Sequence, residues 1–182
     1  MMALVILLIL IGAGAFWVLG IYNRFVGSKN SVDNSWAQID VQLKRRHDLI
    51  PNLAEVAKGY LQHEKETLEN VVKARTQATQ VEALKDKQQA ENFLTSTLRS
   101  LFAVVENYPD LKANQNMIQL HEELTSTENR IAFARQFYND EVMRYNTLIQ
   151  LFPNSIVAQW VDFSKKDLFE IEDPKVKETP QS

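Results

Sequence analysis

Residues 117–149, MIQLHEELTSTENRIAFARQFYNDEVMRYNTLI, decide the fold class. Met117, Leu120, Leu124, Thr127, Ile131, Ala134, Tyr138, Val142, Tyr145 and Ile149 follow one another at steps of three or four. That spacing keeps one helical face apolar for about nine turns. Such a helix is not stable alone in water and must bury its stripe against other helices. The partners lie on its N-terminal side. Val32, Trp36, Ile39 and Leu43 form one stripe, and Leu49, Leu53, Val56, Tyr60, Leu68 and Val72 a second. Phe93, Leu94, Leu98, Leu101, Phe102 and Val105 form a third. Pro51 is expected to end or kink the first of these helices, because it lacks an N–H and disfavours helical geometry at Ile50. Residues 79–87 read as a turn, and Asn107-Tyr108-Pro109-Asp110 as a strong breaker. Pro153 ends the long helix, and Asn154 or Ser155 is placed to cap a short amphipathic piece with Ile156, Val157, Trp160, Val161 and Phe163.

The N-terminus has a different character. Residues 1–23 carry no charged side chain, and the run ALVILLILI at 3–11 continues through Gly12-Ala13-Gly14-Ala15 into Phe16-Trp17-Val18-Leu19-Gly20-Ile21-Tyr22. As a helix of ~1.5 Å rise per residue it is ~30 Å long, the thickness of a hydrocarbon core. Trp17 and Tyr22 suit the membrane interface, and Arg24 is the first charge beyond it. Ala13-Gly14-Ala15 also fits a signal-peptidase site. The absence of Lys or Arg before the run and the apolar residues after the supposed cut favour an uncleaved span. Arg24 and Lys29 follow the span, so the positive-inside rule favours a cytoplasmic soluble part, with the periplasmic or extracellular side as the alternative. No GxxxG pair lies in the span, so pairing through it has no specific sequence support.

The reading is therefore all-α: a transmembrane helix at 1–22, an up-and-down four-helix bundle with long helices at 23–165, and a disordered tail at 166–182. Across the 182 residues there are only 5 Gly and 5 Pro, too few for a turn-rich barrel or sandwich, and no Cys, which removes disulfides and thiolate chemistry. A net charge of -3 argues against a dedicated nucleic-acid binder.

No catalytic, cofactor or metal motif emerges. His47, His63 and His121 lack the Glu-x-x-His and His-Glu-x-x-His spacings of bundle metal sites and zinc proteases. The carboxylates read mainly as solvated outer faces, and an unrecognised carboxylate hydrolase stays only as a check. Lys44-Arg45-Arg46 lies ~30 Å past the span, beyond the ~8 Å screening length, which favours ion pairing inside the bundle over lipid contact. Trp160 and Phe163, with Lys165 and Lys166, resemble an interfacial helix, against which stands simple packing on the bundle base.

Several separated motifs resemble the LemA family of bacterial membrane proteins. They are Tyr22-Asn23, Asn30-Ser31-Val32, SWAQIDVQL at 35–43, KRRHDLIPNL at 44–53, Ala74-Arg75, FAVVENYPDLK at 102–112, LTSTENRIA at 124–132, Ala134-Arg135, Tyr138-Asn139 and Phe152-Pro153. The resemblance covers about residues 20–165. It implies one N-terminal span in the bacterial inner membrane, a soluble helical bundle, no known catalysis or cofactor, and a role in scaffolding or remodelling membranes. Among the residues within those motifs, Arg46 and Asp48 flank the Pro51 corner, and Asn52 would cap the following helix. Glu128 and Arg135 would pair with the Arg46 region in a buried polar network that sets helix register. The expected partners are the bilayer and either further copies of the chain or another membrane protein, with no nucleic acid or small-molecule substrate. A monomeric adaptor or sensor that recruits a membrane protease or transporter is the alternative.

Overall fold

The computed structural model describes residues 1–169. The described residues form six helices and no strand: α1 Met2–Lys58, α2 Lys65–Gln80, α3 Leu84–Val105, α4 Pro109–Lys112, α5 Gln115–Gln150 and α6 Asn154–Trp160. The all-α class and the long apolar N-terminal helix are as the periodicity requires. The disordered tail expected at 166–182 falls outside the described residues from 170 onward.

α1 is continuous for 57 residues. Pro51 does not end it, which corrects the expectation of a new helix there. A proline removes the bond its N–H would make to the carbonyl four residues earlier, here that of His47. The Arg75 Nε–H of α2 donates to this His47 carbonyl at 2.7 Å. The orphaned acceptor is satisfied from a neighbouring helix, and α1 runs on to Lys58. α1 is long and apolar enough to cross a membrane, and Leu4 through Ile11 are all exposed.

The chain divides into two compact units. One comprises Met1–Ile39 with Ala134–Leu168. Its buried apolar residues include Ile21, Phe25, Val32 and Ile39 of α1 and Tyr138, Val142, Tyr145 and Ile149 of α5. The Trp36 and Tyr138 rings meet edge-on at 5.5 Å. After α6 the backbone of 161–168 forms a strap tied to α5. The Tyr145 hydroxyl donates to the Ser164 carbonyl at 2.9 Å, and the Tyr138 hydroxyl to the Asp167 carbonyl at 3.0 Å. The Asn146 amide both donates to the Lys166 carbonyl and accepts from its N–H, each at 2.9 Å. Lys166 and Asp167 thus each have backbone groups bonded to α5 side chains. Burial, with the charges of Asp167 and Asp33, raises the Tyr138 phenol above its ordinary pKa; burial and Asp33 do the same to Tyr145.

The other unit comprises Asp40–Phe133 and, among the described residues, Phe169, and holds the main apolar core. Ile50, Leu53, Ala57 and Leu61 meet Val71, Ala74 and Ala78 of α2, Leu94, Leu98, Leu101 and Val105 of α3, Leu111 of α4, and Met117 and Leu124 of α5. Three stripe residues fall outside it. Tyr60 lies past the end of α1 and leaves the helical register; Val72 and Phe93 stand one position off the true stripes through Val71 and Leu94. The turn between α2 and α3 is only residues 81–83.

Candidate functional site: a buried arginine cluster

The buried face of α1 steps through Ile39, Leu43, Arg46, Ile50, Leu53 and Ala57 at intervals of four, three, four, three and four. Arg46 therefore occupies a core position, with 1% of its surface exposed. On α3 the stripe of Leu94, Leu98, Leu101 and Val105 extends one step back to Glu91, which is 0% exposed. A guanidinium and a carboxylate at two core positions must meet each other or leave unpaired buried charges, at a cost of several kcal/mol.

They do meet. Arg46 Nη2 donates to Glu91 Oε2. Arg46 Nη1 donates to Glu128 Oε2 of α5 at 2.6 Å and to Thr95 Oγ1 of α3 at 2.9 Å. The other Glu91 oxygen, Oε1, lies 2.9 Å from His47 Nε2, which donates to it in the tautomer protonated on Nε2. Three helices, α1, α3 and α5, are joined by one side chain, and Arg75 ties α2 to the next residue's backbone.

Burial pushes the Glu91 carboxyl up, but the His47 hydrogen bond and the nearby Arg46 and His47 charges outweigh it, and the carboxyl is held below its ordinary value. An ionised carboxylate with both oxygens engaged is a poor proton donor or acceptor at neutral pH. Both terminal nitrogens of Arg46 are likewise engaged. The geometry suits a clamp that fixes the relative register of three helices, a role for which buried polar groups are known.

The site residues expected from sequence divide clearly. Arg46 and Glu128 come together. Asp48 and Asn52 are exposed on α1; Asn52 is not at a helix start, because α1 continues through it to Lys58. Arg135 is buried on α5 in the other unit. Glu91, His47 and Thr95 complete the cluster and were not anticipated; the signal for Glu91 was its place three residues before Leu94. Arg45 is exposed and pairs with Glu123 at 3.8 Å, as expected for ion pairing within the helical region. Beside the cluster, Thr95, Leu98, Phe102, His121 and Leu124 line a small cavity of about 200 Å³.

The residues expected at a membrane interface lie in the other unit. Trp17, Tyr22 and Arg24 are exposed on α1, and Trp160 is exposed on α6. Phe163 is half-buried, with ring centroids 5.9 Å from Tyr22 and 5.3 Å from Phe25.

A family model described as LemA family matches residues 35–182. The chain is also similar to Protein LemA of Metamycoplasma hominis, 26% identical over 161 residues, which is 88% of this chain and 74% of that protein.

Proposed function

Because the chain belongs to the LemA family, we propose that it is a membrane-anchored, non-enzymatic helical scaffold that associates with copies of itself and organises the bilayer around it. The observation that carries association is on α5: Phe133 is 73% exposed and Phe137, one turn on, 45%. Neither ring lies in the apolar N-terminal run, so lipid tails around α1 do not cover them. Burying a phenylalanine contributes about 1.5–3 kcal/mol. Because part of each ring is already covered, the four rings of a symmetric pair contribute about 3.5–7 kcal/mol, at the low end of the ~4–15 kcal/mol that association costs from free solution. Such a contact is marginal between freely diffusing molecules. It becomes effective once both partners share a membrane and their effective concentration rises. Arg24 and Lys29 beyond the span support, through the positive-inside rule, a helical region on the cytoplasmic face of a bacterial inner membrane.

The test is Förster transfer between fluorescently labelled full-length chains in liposomes over a series of protein-to-lipid ratios. The scaffold reading expects transfer above random collision that falls away in the Phe133→Ser/Phe137→Ser variant. Transfer at the random level in both proteins would refute self-association. It would favour a monomeric adaptor that offers the same two rings to another membrane protein.

A further inference from the structure

We infer that the corner between α5 and α6 is a second membrane contact: a wedge that lies in the headgroup region of the bilayer α1 crosses. The inference rests on the reading of residues 2–22 as the span. The corner is unusually apolar for a surface. Leu151 is 55% exposed, Phe152 81%, Ile156 46% and Trp160 76%. Ile156 and Trp160 are one turn apart on α6, while Val157 and Ala158 face inward and are buried. The corner is a built element: the Asn154 side chain donates to the Leu148 carbonyl at 3.0 Å, and the Phe163 N–H to the Ala158 carbonyl at 3.0 Å.

Its position identifies the occupant. Phe163, three residues past Trp160, packs on Tyr22 and Phe25. Those two residues flank the end of the apolar run, whose first charge is Arg24. The α6 segment is therefore level with the place where α1 leaves the hydrocarbon. Exposed Arg24 supplies a cation at this level for lipid phosphates. Aromatic and aliphatic side chains on one face with cations nearby are the composition of a helix lying in the interface, with its apolar face buried ~5–10 Å. The lipid surface is favoured over a protein partner because the wedge is already tethered to it by α1. Covering the patch with lipid costs no further loss of translational freedom.

The chain has no Cys, so single spin labels report unambiguously. Phe152→Cys, Ile156→Cys and Trp160→Cys are labelled in the full-length chain in liposomes of phosphatidylethanolamine and phosphatidylglycerol. Leu10→Cys serves as the reference inside the span and Glu55→Cys as the aqueous reference. The wedge predicts labels at 152, 156 and 160 that collide with oxygen several-fold more often than with a water-soluble nickel chelate. Their depth should fall between those of the two references. Aqueous behaviour at all three, with Leu10→Cys still deep, would overturn the wedge and leave the span intact. Aqueous behaviour at Leu10→Cys as well would overturn the span and the wedge together. Labels immobilised and shielded from both relaxants would overturn the lipid contact in favour of a protein one.

Discussion

Replacing Glu91 by alanine removes the carboxylate that faces the most deeply buried cation of the helical region. Arg46 is 1% exposed and would keep only Thr95 and Glu128, whose side chain is 39% exposed and correspondingly screened. His47 Nε2 loses its acceptor at the same time. Breaking a buried ion pair by deleting one partner costs about 3–5 kcal/mol, because the remaining charge stays desolvated. At about 2–4 °C per kcal/mol for a chain of this size, the melting temperature should fall by about 6–20 °C. Thermal melts of the detergent-solubilised full chain, followed by far-UV circular dichroism, measure it. The double variant Arg46→Met/Glu91→Gln separates a lost charge partner from a lost contact. It removes both charges, and the glutamine oxygen still accepts from His47. It should stay within about 1 kcal/mol of the parent, since replacing a buried pair outright is often neutral. A loss below about 1 kcal/mol for Glu91→Ala, or a double variant as unstable as the sum of the single ones, would refute the clamp.

Three further outcomes follow from the same geometry. Arg75→Met should cost about 1.5–3 kcal/mol by orphaning the His47 carbonyl; adding Pro51→Ala, whose N–H can take that carbonyl, should recover most of the loss, and equal stability of the single and double variants in chemical denaturation would contradict the account of Pro51. Glu91 is held below its ordinary carboxyl value, so its contribution is complete above the unfolded-state pKa near 4.5 and is lost as pH falls through the lower folded value. The gap in melting temperature between the parent and Glu91→Gln should therefore narrow as the pH is lowered from neutral to below about 4.5, and a constant gap would contradict it. Asn146→Ala removes both hydrogen bonds to Lys166, worth about 1–3 kcal/mol together, and should speed amide exchange across the 164–168 strap while leaving α2 and α3 unchanged.

The stripes were legible in the sequence because burial along a helix obeys a fixed period, and α5 shows that period from Met117 to Ile149. The apolar N-terminal run was legible from length and lack of charge alone. Pro51 does not end α1, against the local rule, because that rule treats the freed carbonyl as unsatisfied, whereas Arg75, 28 residues beyond His47, supplies the donor. A contact of that range has no signature in the neighbouring sequence. Arg46 and Glu128 are legible as polar residues of one network, but Glu91 is not, because a third stripe read from Phe93 is one residue out of register. Phe93 is 47% exposed, and the stripe in fact runs through Leu94 back to Glu91. A charged residue in step with a stripe is the signal for such a cluster, and it requires the register to be right to within one residue. Asn52 shows the converse: a good capping residue caps only where a helix begins.

The claim that the chain is a membrane scaffold is tested most directly by electron microscopy of the full-length protein in liposomes, with the Phe133→Ser/Phe137→Ser variant alongside. Ordered coats, filaments or altered vesicle shape for the parent, lost in the variant, are the expected result. Discrete single particles on undeformed vesicles for both proteins would contradict it.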